Sequence, residues 1–212
     1  MSLKTLPVTR LKPVLFVALS LPLLWLLWQW ALLIGGHANA LGVNPIETTN
    51  RFLGDTALRI LLITLAISPL RDITGIVALT RLRRLFGLFA FFYVCMHLSN
   101  YLGLELFFSL AKLWKDLVKR TYITLGMSAF ALLVPLAATS TNAALRRLGP
   151  RRWQRLHWLV YPAAILAVTH YIFMAKGFQL KPYVHAAILA FLLGWRVVKW
   201  QIKKSGGRRR AL

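Results

Sequence analysis

Residues 86–104, FGLFAFFYVCMHLSNYLGL, and residues 154–174, QRLHWLVYPAAILAVTHYIFM, decide the fold of this chain. Each stretch is long and apolar enough to cross the hydrocarbon core of a bilayer as one helix, which takes about 20 residues. Together they contain three histidines, His97, His157 and His170. Imidazole is costly to bury in hydrocarbon without a partner, so an ionisable side chain at this depth is a functional-site hypothesis.

Four further apolar stretches give six predicted spans, at about residues 13–34, 53–70, 86–104, 121–138, 154–174 and 182–201. Of the 212 residues, 58% are hydrophobic and only 15% are charged, whereas soluble domains have about 25% charged residues. We therefore predict an all-α, polytopic membrane protein, a six-helix bundle forming one domain over residues 1–212 with a short basic tail at 202–212. The first stretch is long for a cleaved signal peptide, which favours a retained helix.

The formal net charge of +22 comes from 27 Lys and Arg against five Asp and Glu residues. In a soluble chain this excess would suggest nucleic-acid binding. Here the basic residues lie in short loops between apolar spans, which indicates membrane topology and lipid contact, with no nucleic acid. Most of them flank one side, which holds the N-terminus, the second and fourth loops and the tail. The positive-inside rule then predicts that both termini are cytoplasmic.

The histidines suggest metal ligation, because neutral imidazole is a strong axial ligand of haem iron. At 1.5 Å per residue, His97 lies about 17 Å and His170 about 24 Å from the cytoplasmic ends of two parallel spans. Helix tilt of about 20° can absorb part of this offset. We therefore predict that His97 and His170 are the axial pair of one haem, on the outer half of the bilayer.

The other histidines have weaker cases. His157 lies only about 5 Å inside its span, and either an interfacial role or ligation of a second or shared haem is open. His157 and His170 are about 140° apart on an ideal helix, although Pro162 between them can kink it. We expect His37 to be solvated in the first outer loop, and we expect His185 to lie near the outer surface without binding metal.

Several other features have more than one interpretation. Residues 104–120 form an outer loop with apolar positions at helical spacing, either a membrane-anchored loop or a docking surface for an outside partner.

The arginines before spans three and five suit lipid headgroups, haem propionates or a flavin phosphate, although topology accounts for most of them. Gly87 and Gly126 permit close approach of a helix or a flat cofactor. The single Cys95 excludes an internal disulfide and a cysteine-based metal site. No catalytic acid, base, nucleophile or nucleotide-binding motif is present.

Eight short motifs occur in a specific order along almost the whole chain. They are Asn44-Pro45-Ile46-Glu47, Gly54-Asp55-x-Ala57-Leu58-Arg59, Ser68-Pro69-Leu70-Arg71, Arg83-Arg84-x-x-Gly87-Leu88, Phe91-x-Tyr93-x-x-x-His97, Leu136-x-x-Thr139-Ser140, Trp153-x-x-Leu156-His157-x-Leu159-x-Tyr161 and His170-Tyr171. In this pattern the chain resembles the MsrQ family of haem-binding membrane subunits, part of the wider group of ferric reductase-like transmembrane domains.

The resemblance implies a b-type haem, FMN, and electron transfer in the bacterial inner membrane. It implies that electrons come from the quinone pool or a cytoplasmic flavin source and pass to MsrP, a periplasmic molybdenum-cofactor enzyme that reduces methionine sulfoxide in envelope proteins. It also implies cofactor-binding roles for His97, His157 and His170. The wider group carries a second inner ligand where Arg84 stands here, and arginine does not ligate iron, so we expect one haem per chain.

Two other classes of function fit the composition. One is a stand-alone transmembrane reductase of metal ions or oxygen, which would act without a partner protein. The other is a haem-free scaffold or transporter whose histidines relay protons. A visible absorption spectrum separates the second class from any haem protein.

Overall fold

The computed structural model describes residues 8–175 and 177–209, which form α-helices joined by short connections and contain no strand. The helices are α1 (Val8–Ile34), α2 (Pro45–Thr74), α3 (Arg83–Asn100), α4 (Leu110–Lys119), α5 (Thr121–Ala138), α6 (Asn142–His157), α7 (Val160–Met174) and α8 (Leu180–Arg209). A 3₁₀ segment, Val77–Leu82, precedes α3, and a π-helical turn, Tyr101–Glu105, follows it.

Six helical stretches in this part of the chain are long and apolar enough to cross a membrane, which confirms the predicted all-α bundle of six spans. They are Leu11–Ile34, Pro45–Thr74, Val77–Glu105, Thr121–Ala138, Asn142–Met174 and Leu180–Ser205. The second helix begins at Pro45, eight residues before the expected start, because Asn44 caps it: its side chain accepts a hydrogen bond from the Glu47 N–H at 3.2 Å. The last helix continues to Arg209, through most of the predicted tail.

Helix α2 is the central element of the bundle. Its buried side chains form much of the main hydrophobic core, and α3 lies along it, while α7 and α8 contact it from other sides. Helix α5 packs mainly against α7. This arrangement brings α3 and α7, the helices of His97 and His170, to the same interior space.

Tyr93 joins α3 to α1 through a hydroxyl that hydrogen-bonds to the backbone of α1. The side chain is completely buried; its hydroxyl donates to the Leu19 carbonyl oxygen at 2.7 Å and accepts from the Leu23 N–H at 3.2 Å. Leu19 and Leu23 are four residues apart, so the hydroxyl takes the place of one helical hydrogen bond. Pro22 lies beside this position within α1, and an inserted side chain next to a proline is a known cause of a helix bend.

The predicted fifth span is interrupted between α6 and α7, at Trp158 and Leu159. Proline at position 162 has no N–H, and its ring clashes with the carbonyl of the residue four positions earlier, which is Trp158. The expected effect of Pro162 therefore occurs one turn before the proline itself. Because of the break, the two histidines of this span do not lie on one continuous helix.

The outer loop contains a helix, α4, as its apolar spacing indicates. Ser109 caps it by accepting from the Lys112 N–H at 3.4 Å, and Asp116 accepts from the Tyr101 hydroxyl at 2.7 Å, which ties α4 to the end of the third span. Its apolar side chains are largely exposed, for example Leu110 and Trp114. An exposed apolar face beside membrane-spanning helices is typical of an interfacial helix.

Candidate haem-binding site

His97 of α3 and His170 of α7 face each other across an interior cavity. Their ring centroids are 6.3 Å apart, and the rings are nearly perpendicular, at 77°. Both residues line a cavity of about 1130 Å³ between α2, α3, α5 and α7. The structure therefore brings together the two histidines that depth alone paired, despite the offset calculated from ideal helices.

Each of these histidines is held by a backbone carbonyl of a neighbouring helix. His97 Nδ1 donates to the Asn50 carbonyl oxygen of α2 at 2.9 Å, and His170 Nδ1 donates to the Tyr122 carbonyl oxygen of α5 at 2.6 Å. A carbonyl only accepts, so Nδ1 carries the proton and Nε2 keeps its lone pair. Metal-binding histidines usually have this arrangement, in which the second nitrogen fixes the tautomer and the ring orientation.

A glycine lies beneath each ring, four residues after the carbonyl that anchors it. A Cβ atom on Gly54 would lie 3.1 Å from His97 Cε1, and one on Gly126 would lie 2.9 Å from His170 Nδ1. Residues four apart share one helix face, so each helix presents a carbonyl and an open surface to one imidazole. Gly126 was expected to permit close approach, and the group that it admits is His170; a Cβ atom on Gly87 would lie 3.8 Å from Thr64 Cγ2, an ordinary contact.

The separation of the rings fits one metal ion between them. Imidazole nitrogen binds metals at about 2.0 Å. The 6.3 Å between the two ring centroids therefore leaves room for one metal ion between the rings. The cavity is also large enough for a macrocycle, since ligand pockets commonly measure about 300–1,000 Å³.

The walls of the cavity differ along its length. Its inner part is apolar, with Leu61, Phe130 and Leu133. Its other end, near the start of α2, α5 and α8, carries charged side chains: Glu47, Arg51, Glu105, Arg120 and Lys181. Arg51 pairs with Glu47 at 2.7 Å, and Arg120 pairs with Asp116 at 3.3 Å. Cations and carboxylates are therefore mixed at this end, and two of its arginines are already paired with acidic side chains.

His157 lies apart from this cavity, at the end of α6. Its ring stacks on Trp153, with centroids 3.7 Å apart, and its Nδ1 donates to the Trp153 carbonyl oxygen at 3.0 Å. Its Nε2 is buried, and the ring also interacts with the backbone of Leu136. Arg84, the residue expected opposite His157, donates to Asn142 Oδ1 at 2.8 Å.

The two remaining histidines, His37 and His185, lie away from the paired histidines and from His157. His37 is exposed in the loop after α1, as expected. His185 lies near the start of α8 and is buried between helices: its Nδ1 donates to the Lys181 carbonyl oxygen at 2.7 Å, and its Nε2 lies 3.8 Å from Asp55. Sequence reasoning missed this contact; Asp55 has a recognisable partner four residues on, Arg59, but its approach to His185 depends on how α8 packs against α2.

The sequence of this chain is similar to those of known proteins of one family. Residues 53–168 match the family described as ferric reductase like transmembrane component, a range that includes His97 and His157 and ends two residues before His170. A Rhodospirillum rubrum protein named protein-methionine-sulfoxide reductase heme-binding subunit MsrQ is 50% identical over 193 residues, covering 91% of this chain and 90% of the relative. Proteins of the same name from Caulobacter vibrioides and Xanthomonas campestris are each 45% identical, covering 91% and 94% of this chain and 88% and 91% of the relatives.

Proposed function

This chain belongs to the MsrQ family of ferric reductase-like transmembrane proteins, and we propose that it carries electrons outward through a b-type haem held by His97 and His170. A membrane haem electron-transfer role follows from the family. The observation that supports these two ligands is their arrangement: rings 6.3 Å apart, with each Nδ1 bonded to a carbonyl. A bound haem would supply a carrier that takes up and releases one electron.

The residues around the cavity have complementary roles in this proposal. Gly54 and Gly126 leave room for the two imidazole rings. Lys181, which lines the charged end of the cavity, would offer positive charge to the haem carboxylates, whereas Arg51 and Arg120 are paired with Glu47 and Asp116. The apolar inner wall would exclude water and limit side reactions of the iron. Non-covalent attachment is consistent with the sequence, which has one cysteine and no Cys-x-x-Cys-His motif.

The charge distribution supports an orientation for the chain. The basic loops and tail favour a bacterial inner-membrane protein with both termini in the cytoplasm. His97 and His170 then belong to the outer half of the membrane, close to an acceptor outside it. We infer that this acceptor is an MsrP-like periplasmic molybdenum-cofactor reductase that repairs methionine sulfoxide, in keeping with the name of the relatives.

His157 would act nearer the cytoplasmic side, as a second or shared haem ligand or as the point where electrons enter. Its buried Nε2 and the hydrogen bond that fixes its Nδ1 support a role in cofactor binding. The donor would be the quinone pool or a cytoplasmic flavin reductase, and FMN would belong to this half of the path. One haem per chain remains the expected number.

Electron transfer can be tested with the full chain in lipid vesicles, supplied with a reduced quinol and a purified MsrP-like enzyme. We expect methionine sulfoxide reduction only when both proteins are present, and we expect His157→Ala to slow haem reduction from the inner side more than it lowers haem content. His37→Ala, at an exposed position, is the matched control. Rapid reduction of ferric chelates or oxygen without the partner would instead support a stand-alone reductase.

A further inference from the structure

A cluster of cationic side chains lies at the predicted cytoplasmic end of the bundle, away from the haem cavity. It consists of Arg71 at the end of α2, Arg83 at the start of α3, and Arg196 and Lys199 in α8. Asp72 pairs with Arg71 at 2.6 Å and also with Lys199. Arg83 lies within electrostatic range of Arg71, Arg196 and Asp72. The cluster therefore contains four positive charges and one carboxylate, which is in contact with two of them.

The positions of two of these arginines are not explained by membrane topology alone. Arg196 reaches into the bundle, where its Nη1 donates to the Leu192 carbonyl oxygen at 2.9 Å and its Nη2 to the Leu65 carbonyl oxygen at 2.6 Å. These acceptors are neutral and do not balance its charge. Arg83 Nε is buried and hydrogen-bonds to no group among the described residues. A buried guanidinium donor without an acceptor is costly, which points to a ligand outside the chain.

A shallow groove adjoins the cluster at Arg196. It has a volume of about 370 Å³ and is lined by Tyr161, Leu193, Arg196, Val197 and Trp200. The Arg196 guanidinium lies over the Tyr161 ring, 5.3 Å from its centroid. Val197 and Trp200 are exposed, so in the membrane this groove faces lipid. Its lining suits an alkyl chain, and the neighbouring cations suit a negatively charged head.

We propose that Arg71, Arg83, Arg196 and Lys199 bind a phosphate group, that of an anionic phospholipid whose acyl chain occupies the groove. Guanidinium groups donate paired hydrogen bonds to phosphate oxygens, and the bound phosphate would offset the excess positive charge. It would also provide an acceptor for Arg83 Nε. The lipid would thereby join the ends of α2, α3 and α8.

The test uses the purified full chain in detergent with defined lipids, and native mass spectrometry of the retained lipid. We expect phosphatidylglycerol to be retained in preference to phosphatidylcholine with the same acyl chains. Removing one cation should lower retention about fivefold, since each is worth about 1 kcal/mol near an anionic surface. Arg83→Gln should show this loss, while Arg83→Lys should largely restore retention and Arg81→Gln, an exposed neighbour, should leave it unchanged.

A second pair of variants keeps the test valid if Arg83→Gln does not give a monodisperse protein. Lys199→Gln removes a cation of the cluster, and Lys203→Gln removes an exposed one a turn further along α8. Only the first should reduce retention. Inorganic phosphate added at millimolar concentration distinguishes the source: protection from thermal unfolding by phosphate alone, without lipid preference, would assign the same site to a soluble phosphate ester. Equal effects of cluster and control variants would overturn the proposal, leaving only general attraction to anionic membranes.

Discussion

The position of each proposed iron ligand depends on a glycine of the opposing helix. Gly54 and Gly126 each lie four residues after the carbonyl that anchors a histidine, and a methyl group at either position would meet the imidazole ring. The depth of the histidines was predictable from the apolar runs. The glycine contacts were not, because the sequence does not define how α2 and α5 rotate toward α3 and α7.

Replacing either glycine by alanine should displace the ring above it. Loss of support for a metal ligand typically costs 10–100-fold in affinity, so haem content per chain should fall. The fall should be larger for Gly126→Ala, because its added Cβ would lie 2.9 Å from the histidine ring, compared with 3.1 Å at Gly54. Gly87→Ala is the matched control, because the nearest atom there is at an ordinary 3.8 Å. Quantitative haem extraction measures the difference; equal haem content in all three variants would show that the glycines do not position the ligands.

At the scale of helices, the apolar runs predicted six spans. The residues at which the helices begin and break were harder to predict. The start of α2 is encoded locally by Asn44, Pro45 and Glu47, a cap followed by proline in the first turn. Hydropathy alone predicts too late a start for this helix, since its first turns are polar. The break before α7 follows from Pro162 acting on Trp158, one turn upstream.

Tyr93 tests how α1 is attached to the bundle. Tyr93→Phe removes the hydroxyl that bridges Leu19 and Leu23 of α1, and leaves buried backbone groups without that partner. We expect a loss of about 1–3 kcal/mol in the free energy of unfolding, measured by denaturant unfolding in detergent. Tyr183→Phe, which changes an exposed tyrosine, should have little effect; an equal loss in both variants would rule out a special role for the bridge.

For the molecule as a whole, the structure separates two ends with different chemistry. Charged side chains of both signs, among them Glu47, Arg51 and Glu105, line one end of the cavity of His97 and His170, while Arg71 and Lys199 flank Asp72 near the end of α2. The positions of Lys and Arg along the sequence predict that this second end is cytoplasmic, and the family matches agree with a membrane haem protein. The contact between His185 and Asp55 could not be predicted, because it joins helices distant in sequence whose packing no local pattern defines.

The visible absorption spectrum of the purified chain tests the central claim most directly. We predict a low-spin, six-coordinate b-type haem spectrum in the wild-type chain and in the His37→Ala control. His97→Ala and His170→Ala should each lose the six-coordinate signature, because each removes one of two axial nitrogens. A low-spin spectrum that persists in the double variant His97→Ala/His170→Ala would contradict the assignment of these two histidines as the ligands.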